Sequence, residues 1–199
     1  KITPAINTEF FKSNTYKNFH RPLRILTVGR LTWKKGYEYA LQALSDLLKH
    51  KIDFEYHIVG DGNYRDPIMY TIHQLSLYEK VVLKGQLTQN AVVEEMKWAD
   101  IYIQPSIQEG FCNAVLEAQA MGLLCIVSDA EGLSENIING QTGWIVKKRN
   151  HGAILKQILY VINEQSSVLE LVRLSAIKRV NMHFNLIMQS NFFSNFYKN

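Results

Sequence analysis

The sequence holds little that could staple or anchor a fold from outside its core. Two cysteines in 199 residues, Cys112 and Cys125, with no CxxC pair, exclude a disulfide framework and a cysteine-rich zinc site. Both read as small core residues in a cytoplasmic, reducing setting. No apolar run approaches the ~20 residues that a bilayer demands, and one of the longest, residues 122–127, is only GLLCIV. The opening KITPAINTEFFKS lacks the apolar centre of a secretory signal. Neither GxGxxG nor a Walker A loop occurs, so the usual dinucleotide and P-loop readings have no support. There is no repeat or low-complexity tract, and no zinc-finger, helix-turn-helix or RNP-like pattern. The net charge of +4 comes from scattered lysines and arginines, which describes a solvated face and not a nucleic-acid or membrane patch.

What is present is an ordinary globular composition, 47% hydrophobic and 20% charged, sized for one domain with appended helices. Residues 1–22, with Pro4 and Pro22, read as a linker or extended arm. An alternation follows. LRILTVG (23–29), FEYHIVG (54–60), VVLKG (81–85), IYIQPS (101–106), LLCIVSD (123–129) and GWIV (143–146) read as strands. Helical spacing fills the gaps at 37–50, 65–79 and 91–99, within EGFCNAVLEAQAMG (109–122), and over 151–199 with a break or two. Strands that are apolar along their length and alternate with helices imply a parallel sheet covered on both faces. The expected fold is α/β, a six-stranded, doubly wound Rossmann-like domain over 23–180 with a helical tail at 181–199.

In such sheets ligands bind beyond the carboxyl ends of the strands. The segments there are GRLTWKKG (29–36), GDGN (60–63), GQLT (85–88), PSIQEGFCN (105–113) and SDAEG (128–132). A purely structural edge would use the glycines for turns but has no need to gather Arg30, Lys35 and Glu109. Arg30 and Lys35 could neutralise a diphosphate, unless they simply face water. Gly110 to Asn113 is expected to form a first helical turn whose free N–H groups face the crevice. Glu109 is then either a reader of hydroxyls beside the phosphates or a carboxylate on the helix dipole. Glu117 is either a ribose ligand or an exposed helix residue.

Five segments in order, VGRLTWKKG, HIVGDG, VLKGQL, ADIYIQPSIQEGFCNAVLEAQAMG and NGQTGWIV, resemble the donor-binding domain of retaining glycosyltransferases of family 4. The resemblance covers residues 1–146 directly and the helical tail more loosely. It implies one half of a GT-B fold, in which two Rossmann-like domains face each other across a cleft. Glu109 and Glu117 match the E-x7-E motif of that family. The resemblance gives catalytic roles to Glu109, at the transferred sugar, and to Arg30 and Lys35, at the diphosphate. It places Glu117 on the ribose, Gly29 and the backbone of Phe111, Cys112 and Asn113 near the sugar and phosphates, Leu116 on the nucleoside and Leu87 at the base. On that division, loss of Glu109 hardly changes binding of a bare nucleotide.

The resemblance further implies a nucleotide-diphospho-sugar co-substrate, no cofactor and no metal. Its acceptor is a carbohydrate or lipid-linked molecule bound by an N-terminal domain that these residues do not include. On this reading the chain is the C-terminal half of an enzyme, inactive alone, cytoplasmic or peripheral at the inner face of the membrane. A nucleotide-sugar epimerase of similar fold and a non-catalytic nucleotide-binding module are the competing readings. One loop departs from the pattern. The loop SDAEGLSE (128–135) lacks the family's glycine pair and proline before Glu135, and it adds Glu131. In the tail, Phe184, Ile187, Met188, Phe192, Phe193, Phe196 and Tyr197 cover much of a helix. Such a helix either finishes its own core, crosses to the other domain, or drives self-association of the fragment.

Overall fold

The computed structural model describes residues 4–12 and 18–196, with the backbone alone at 191, 192, 195 and 196. Six strands form one sheet: β1 (Leu23–Val28), β2 (Phe54–Val59), β3 (Val81–Gly85), β4 (Ile101–Gln104), β5 (Leu124–Ser128) and β6 (Trp144–Val146). Every pairing is parallel, and the order across the sheet is β3-β2-β1-β4-β5-β6. The Rossmann-like expectation is met. The helices are α1 (Tyr37–Lys49), α2 (Arg65–Gln74), α3 (Gln89–Trp98), α4 (Asn113–Ala120), α5 (Leu133–Asn136), α6 (His151–Asn163), α7 (Ser166–His183) and α8 (Leu186–Phe196).

Alternate residues of each strand point to opposite faces, so the sheet feeds two cores. Ile25, Ile101 and Ile103 join Leu44 of α1, Ile68 of α2 and Ile158 of α6 on one side. Leu26, Tyr102 and Cys125 join Val93 of α3, Val115 of α4 and Val180 of α7 on the other. Strands buried on both faces explain the unbroken apolar runs. Helix boundaries moved where the backbone found better partners. Thr88 caps α3 by accepting from the Ala91 N–H at 3.4 Å, starting that helix at Gln89. The helix after β2 ends at Gln74, because Ser76 takes a left-handed conformation with φ of 55°.

Residues 6–11 of the segment read as a linker are seated in the second core, with Ile6 and Phe11 buried. The Ile6 N–H donates to the Phe184 carbonyl at 2.8 Å, and the Leu186 N–H donates to the Ile6 carbonyl at 2.9 Å. Phe184, between α7 and α8, is buried against Phe111 (ring centroids 5.6 Å apart) and under the Arg179 guanidinium at 4.7 Å. Leu186, Ile187 and Met188, by contrast, are each about half exposed. The side chains of Phe192 and Phe196, and all of Tyr197, lie outside the described residues. Phe184→Ala should therefore act as a core truncation and cost about 3 kcal/mol, the usual scale for a buried Phe. Urea unfolding measures it; a loss under about 1 kcal/mol would mean that arm and tail are not part of the cooperative core.

Candidate functional site

The sheet order sets where a site can form. The chain leaves β1 toward β2 and β3, then returns to place β4 on the other side of β1. The loops after β1 and β4 therefore diverge and leave a crevice, the topological switch point of an open α/β sheet. A cavity of about 500 Å³ opens there, lined by Arg30, Trp33, Lys34, Lys35, Asn63 and Glu109, among others. A larger one of about 820 Å³ lies near the opposite ends of the strands, by Phe19, Pro22, Leu23 and Lys51. Size favours the second, but the convergent charged groups are in the first, and chemistry decides between them.

The walls of the first cavity are held by backbone contacts that require glycine. Gly36 ends a short 3₁₀ turn (Trp33–Lys35) with φ of 64°, and a Cβ there would lie 2.4 Å from the Pro105 carbonyl oxygen. The Lys34 carbonyl accepts the Ile107 N–H at 2.7 Å, tying the loop after β1 to the loop after β4. Gly132 approaches so close that a Cβ would fall 1.1 Å from the Gly110 carbonyl oxygen, while its N–H donates to the Glu109 carbonyl at 3.0 Å. These contacts hold residues 110–112 out of helical conformation. The helix therefore begins at Asn113, with Cys112 as N-cap, and not at Gly110 as the sequence suggests.

Lys35 and Glu109 meet directly, Lys35 Nζ donating to Glu109 Oε2, with both side chains 15% exposed. Ser106 Oγ donates to the same carboxylate oxygen at 3.2 Å. Behind it Gln104 Nε2 donates to Ser106 Oγ at 2.9 Å, and the Tyr102 hydroxyl donates to Gln104 Oε1 at 2.9 Å. Gln104 and Ser106 are fully buried, so each must spend its polar atoms on a partner. Arg30 stands exposed at the rim. The Gly29 carbonyl accepts the Tyr37 hydroxyl at 3.0 Å, which fixes the turn beneath Lys35.

The other sequence candidates divide. Asn113 is exposed at the start of α4. The Cys112 N–H is already donated to Asn136 Oδ1 at 3.2 Å, so it is not offered to the crevice. Burial pushes the Cys112 thiol up and keeps it a neutral core group, as it does for Cys125. Leu116 is fully buried within the second core, which leaves it no face for a nucleoside; the amphipathic packing of α4 claims it. Phe111 packs on Phe184, and Leu87 sits half-buried against the same core, beyond β2 from the cavity. Glu131 pairs with Lys148 at 2.7 Å, and Glu135 is exposed. Among the described residues no group of His, Cys, Asp and Glu is placed to hold a metal ion.

Glu117 is neither exposed nor paired. Half-buried on α4, its carboxyl is raised from its ordinary value to about 7, and burial alone is the cause. It lies near Tyr102, whose phenol is pushed up by burial first and then by the neighbouring Cys112 and Glu117. Asn136 was not legible beforehand: fully buried, it accepts from the Cys112 N–H and donates to the Cys112 carbonyl at 3.0 Å, acting as a strut for the start of α4. The sequence carried no distinct signal for it, since Asn136 follows Ser134 and Glu135 in LSENII and reads as part of a solvated run.

The fold is a Rossmann-like α/β domain that matches one half of GT-B glycosyltransferase structures. A glycosyltransferase structure from Rickettsia africae superposes with a TM-score of 0.85 at 26% identity, covering 98% of this chain and 55% of that one. Residues 8–177 match the family described as glycosyl transferases group 1, and the chain belongs to that family. It is 32% identical over 187 residues to the amylovoran biosynthesis glycosyltransferase AmsK of Erwinia amylovora, covering 91% of this chain and 46% of the relative. It is 26% identical over 190 residues to an Escherichia coli UDP-Gal:alpha-D-GlcNAc-diphosphoundecaprenol alpha-1,3-galactosyltransferase, covering 94% and 48%. The chain thus spans about half the length of the relatives it matches.

The raised Glu117 carboxyl has a direct consequence for stability. Between the ordinary value of 4.5 and about 7 the native protein holds a proton that the unfolded chain has released. Stability therefore falls as pH rises through that window and is level above it. Glu117→Gln removes the linkage, so the variant should match the wild type near pH 4 and exceed it by about 1–3 kcal/mol at pH 8. Urea unfolding across that range would show the gap opening; a pH-independent difference would contradict the burial argument.

Proposed function

We propose that this chain is the donor-binding half of a retaining family 4 glycosyltransferase. It would transfer a hexosyl group from a nucleotide-diphospho-sugar to a carbohydrate or lipid-linked acceptor. The observation that carries this is the meeting of Lys35 and Glu109, with Arg30 at the rim, in one crevice at the switch point. A sugar diphosphate presents two chemistries side by side, anionic phosphates and neutral hydroxyls. The crevice offers cations for the first and a carboxylate for the second.

As the bond between the sugar's anomeric carbon and the diphosphate breaks, the electron pair goes to the phosphate oxygen. Arg30, Lys35 and the first N–H groups of α4 would meet that developing charge without rearranging, which is where such sites gain rate. In this arrangement protein cations stand where other enzymes use a divalent metal, and no resident cofactor is needed. The acceptor hydroxyl would attack from the face that the diphosphate leaves, retaining configuration. Glu117 would lie against the ribose: an unpaired, half-buried carboxylate is stabilised by any ligand that donates hydroxyls to it.

The acceptor would be met by protein outside these residues, consistent with the half-length match to relatives. Relatives named for undecaprenol-linked substrates suggest a membrane-borne acceptor. Attachment at the cytoplasmic face would be peripheral on this reading; no helix among the described residues is long and apolar enough to cross a membrane. Without its facing domain the half-exposed start of α8 would favour self-association of the isolated chain and leave it inactive alone.

The open crevice predicts weak binding of nucleoside diphosphates, with a Kd on the order of 0.1–1 mM because the ligand stays partly hydrated. Calorimetric titration with UDP, GDP and ADP should show one preferred base, and Lys35→Ala should weaken that binding roughly tenfold. Absence of binding for all three at millimolar concentration would overturn the assignment.

A further inference from the structure

Lys35 and Glu109 are given separate duties above, yet in the ligand-free protein they are spent on each other. Lys35 Nζ donates to Glu109 Oε2, and both side chains are largely withdrawn from solvent. Glu109 is not merely resting there. The donors of Tyr102, Gln104 and Ser106 all run toward its carboxylate, and Gly132 holds its backbone carbonyl. The carboxylate is therefore held beside the ammonium before any ligand arrives. A diphosphate that reaches Lys35 must share it with, or take it from, an oriented anion that cannot drift away.

Two ligands would meet this arrangement differently. An intact donor carries a sugar on its terminal phosphate, whose hydroxyls can donate to Glu109 and replace what the carboxylate loses from Lys35. A bare nucleoside diphosphate ends in unsubstituted phosphate oxygens, carries more negative charge, and offers Glu109 no hydrogen. Its terminal phosphate is repelled by the same carboxylate that competes for its lysine. We propose that the Lys35–Glu109 pair is a specificity device: Glu109 competes with phosphate for Lys35, so the site favours the sugar-bearing diphosphate and disfavours the spent one. Release of the nucleoside diphosphate product is thereby assisted, as Glu109 reclaims Lys35. This rests on the donor-site reading above, and it reverses the expectation that Glu109 is indifferent to a bare nucleotide.

The test measures dissociation constants of UDP against UDP-glucose, GDP against GDP-mannose and ADP against ADP-glucose. The proteins are wild type, Glu109→Gln, Glu109→Asp and Lys35→Ala. Glu109→Gln keeps the shape and removes the charge, so it should bind the bare diphosphate of the preferred base roughly tenfold tighter, the scale of one charge-assisted contact released. It should gain nothing for the matching nucleotide-sugar, collapsing the preference between the two. Glu109→Asp, which draws the charge back from Lys35, should shift the same ratio in the same direction by a smaller factor and serves if the Gln variant does not fold. Lys35→Ala should weaken both ligands. Unchanged or weaker diphosphate binding in both Glu109 variants, with Lys35→Ala still harmful, would overturn the competition while leaving the donor site in place. Indifference of every ligand to Lys35→Ala would overturn both.

Discussion

The reversal of strand order between β1 and β4 is the constraint from which the rest follows. Because β1 lies inside the sheet, with later strands added first on one side and then on the other, the two loops at its carboxyl edge must part. Backbone polar groups and side chains then face one crevice instead of a neighbouring loop. Gly36 against Pro105 and Gly132 against Gly110 set its width, since neither position has room for a methyl group. Lys35 leaves one wall and Glu109 the other, so their contact is a product of topology more than of local sequence.

The two carboxylates of the motif are housed differently. Glu109 has a cation and a hydroxyl as partners before ligand arrives. Glu117, just over one turn into α4, has neither, and burial holds its proton up to about pH 7. The same motif therefore contains one carboxylate that is satisfied and one that is not. On the proposed function, a ligand carrying both phosphate and ribose would exchange partners with the first and supply partners to the second. On that reading the asymmetry would account for why a mostly apolar segment keeps two acidic residues.

Much of this was legible in the sequence, for a physical reason. Strands covered on both faces must be apolar throughout, and a reader can see LRILTV, IYI and LCIV without knowing their neighbours. Charged residues beside glycines at strand ends are equally visible, which is why Arg30, Lys35 and Glu109 could be named. What could not be seen depends on contacts between distant segments. The start of α4 moved three residues because Gly132 and Asn136 hold the backbone of residues 109–112. Leu116 and Cys112 read as site residues because they belong to the motif, but α4 turns them inward. Ile6 and Phe11 looked like linker because their partner, Phe184, lies at the far end of the chain.

The central claim is that one crevice binds a nucleoside diphosphate through Lys35 with Glu117 on its ribose, and the most direct measurement is a structure of the chain with that ligand bound. The account predicts phosphates against Lys35 and the N-terminus of α4, the ribose hydroxyls at the Glu117 carboxylate, and Glu109 parted from Lys35 and turned to the sugar hydroxyls where a sugar is attached. A nucleotide lodged instead in the larger cavity beside Phe19, Pro22 and Lys51, with the Lys35–Glu109 pair intact, would contradict it.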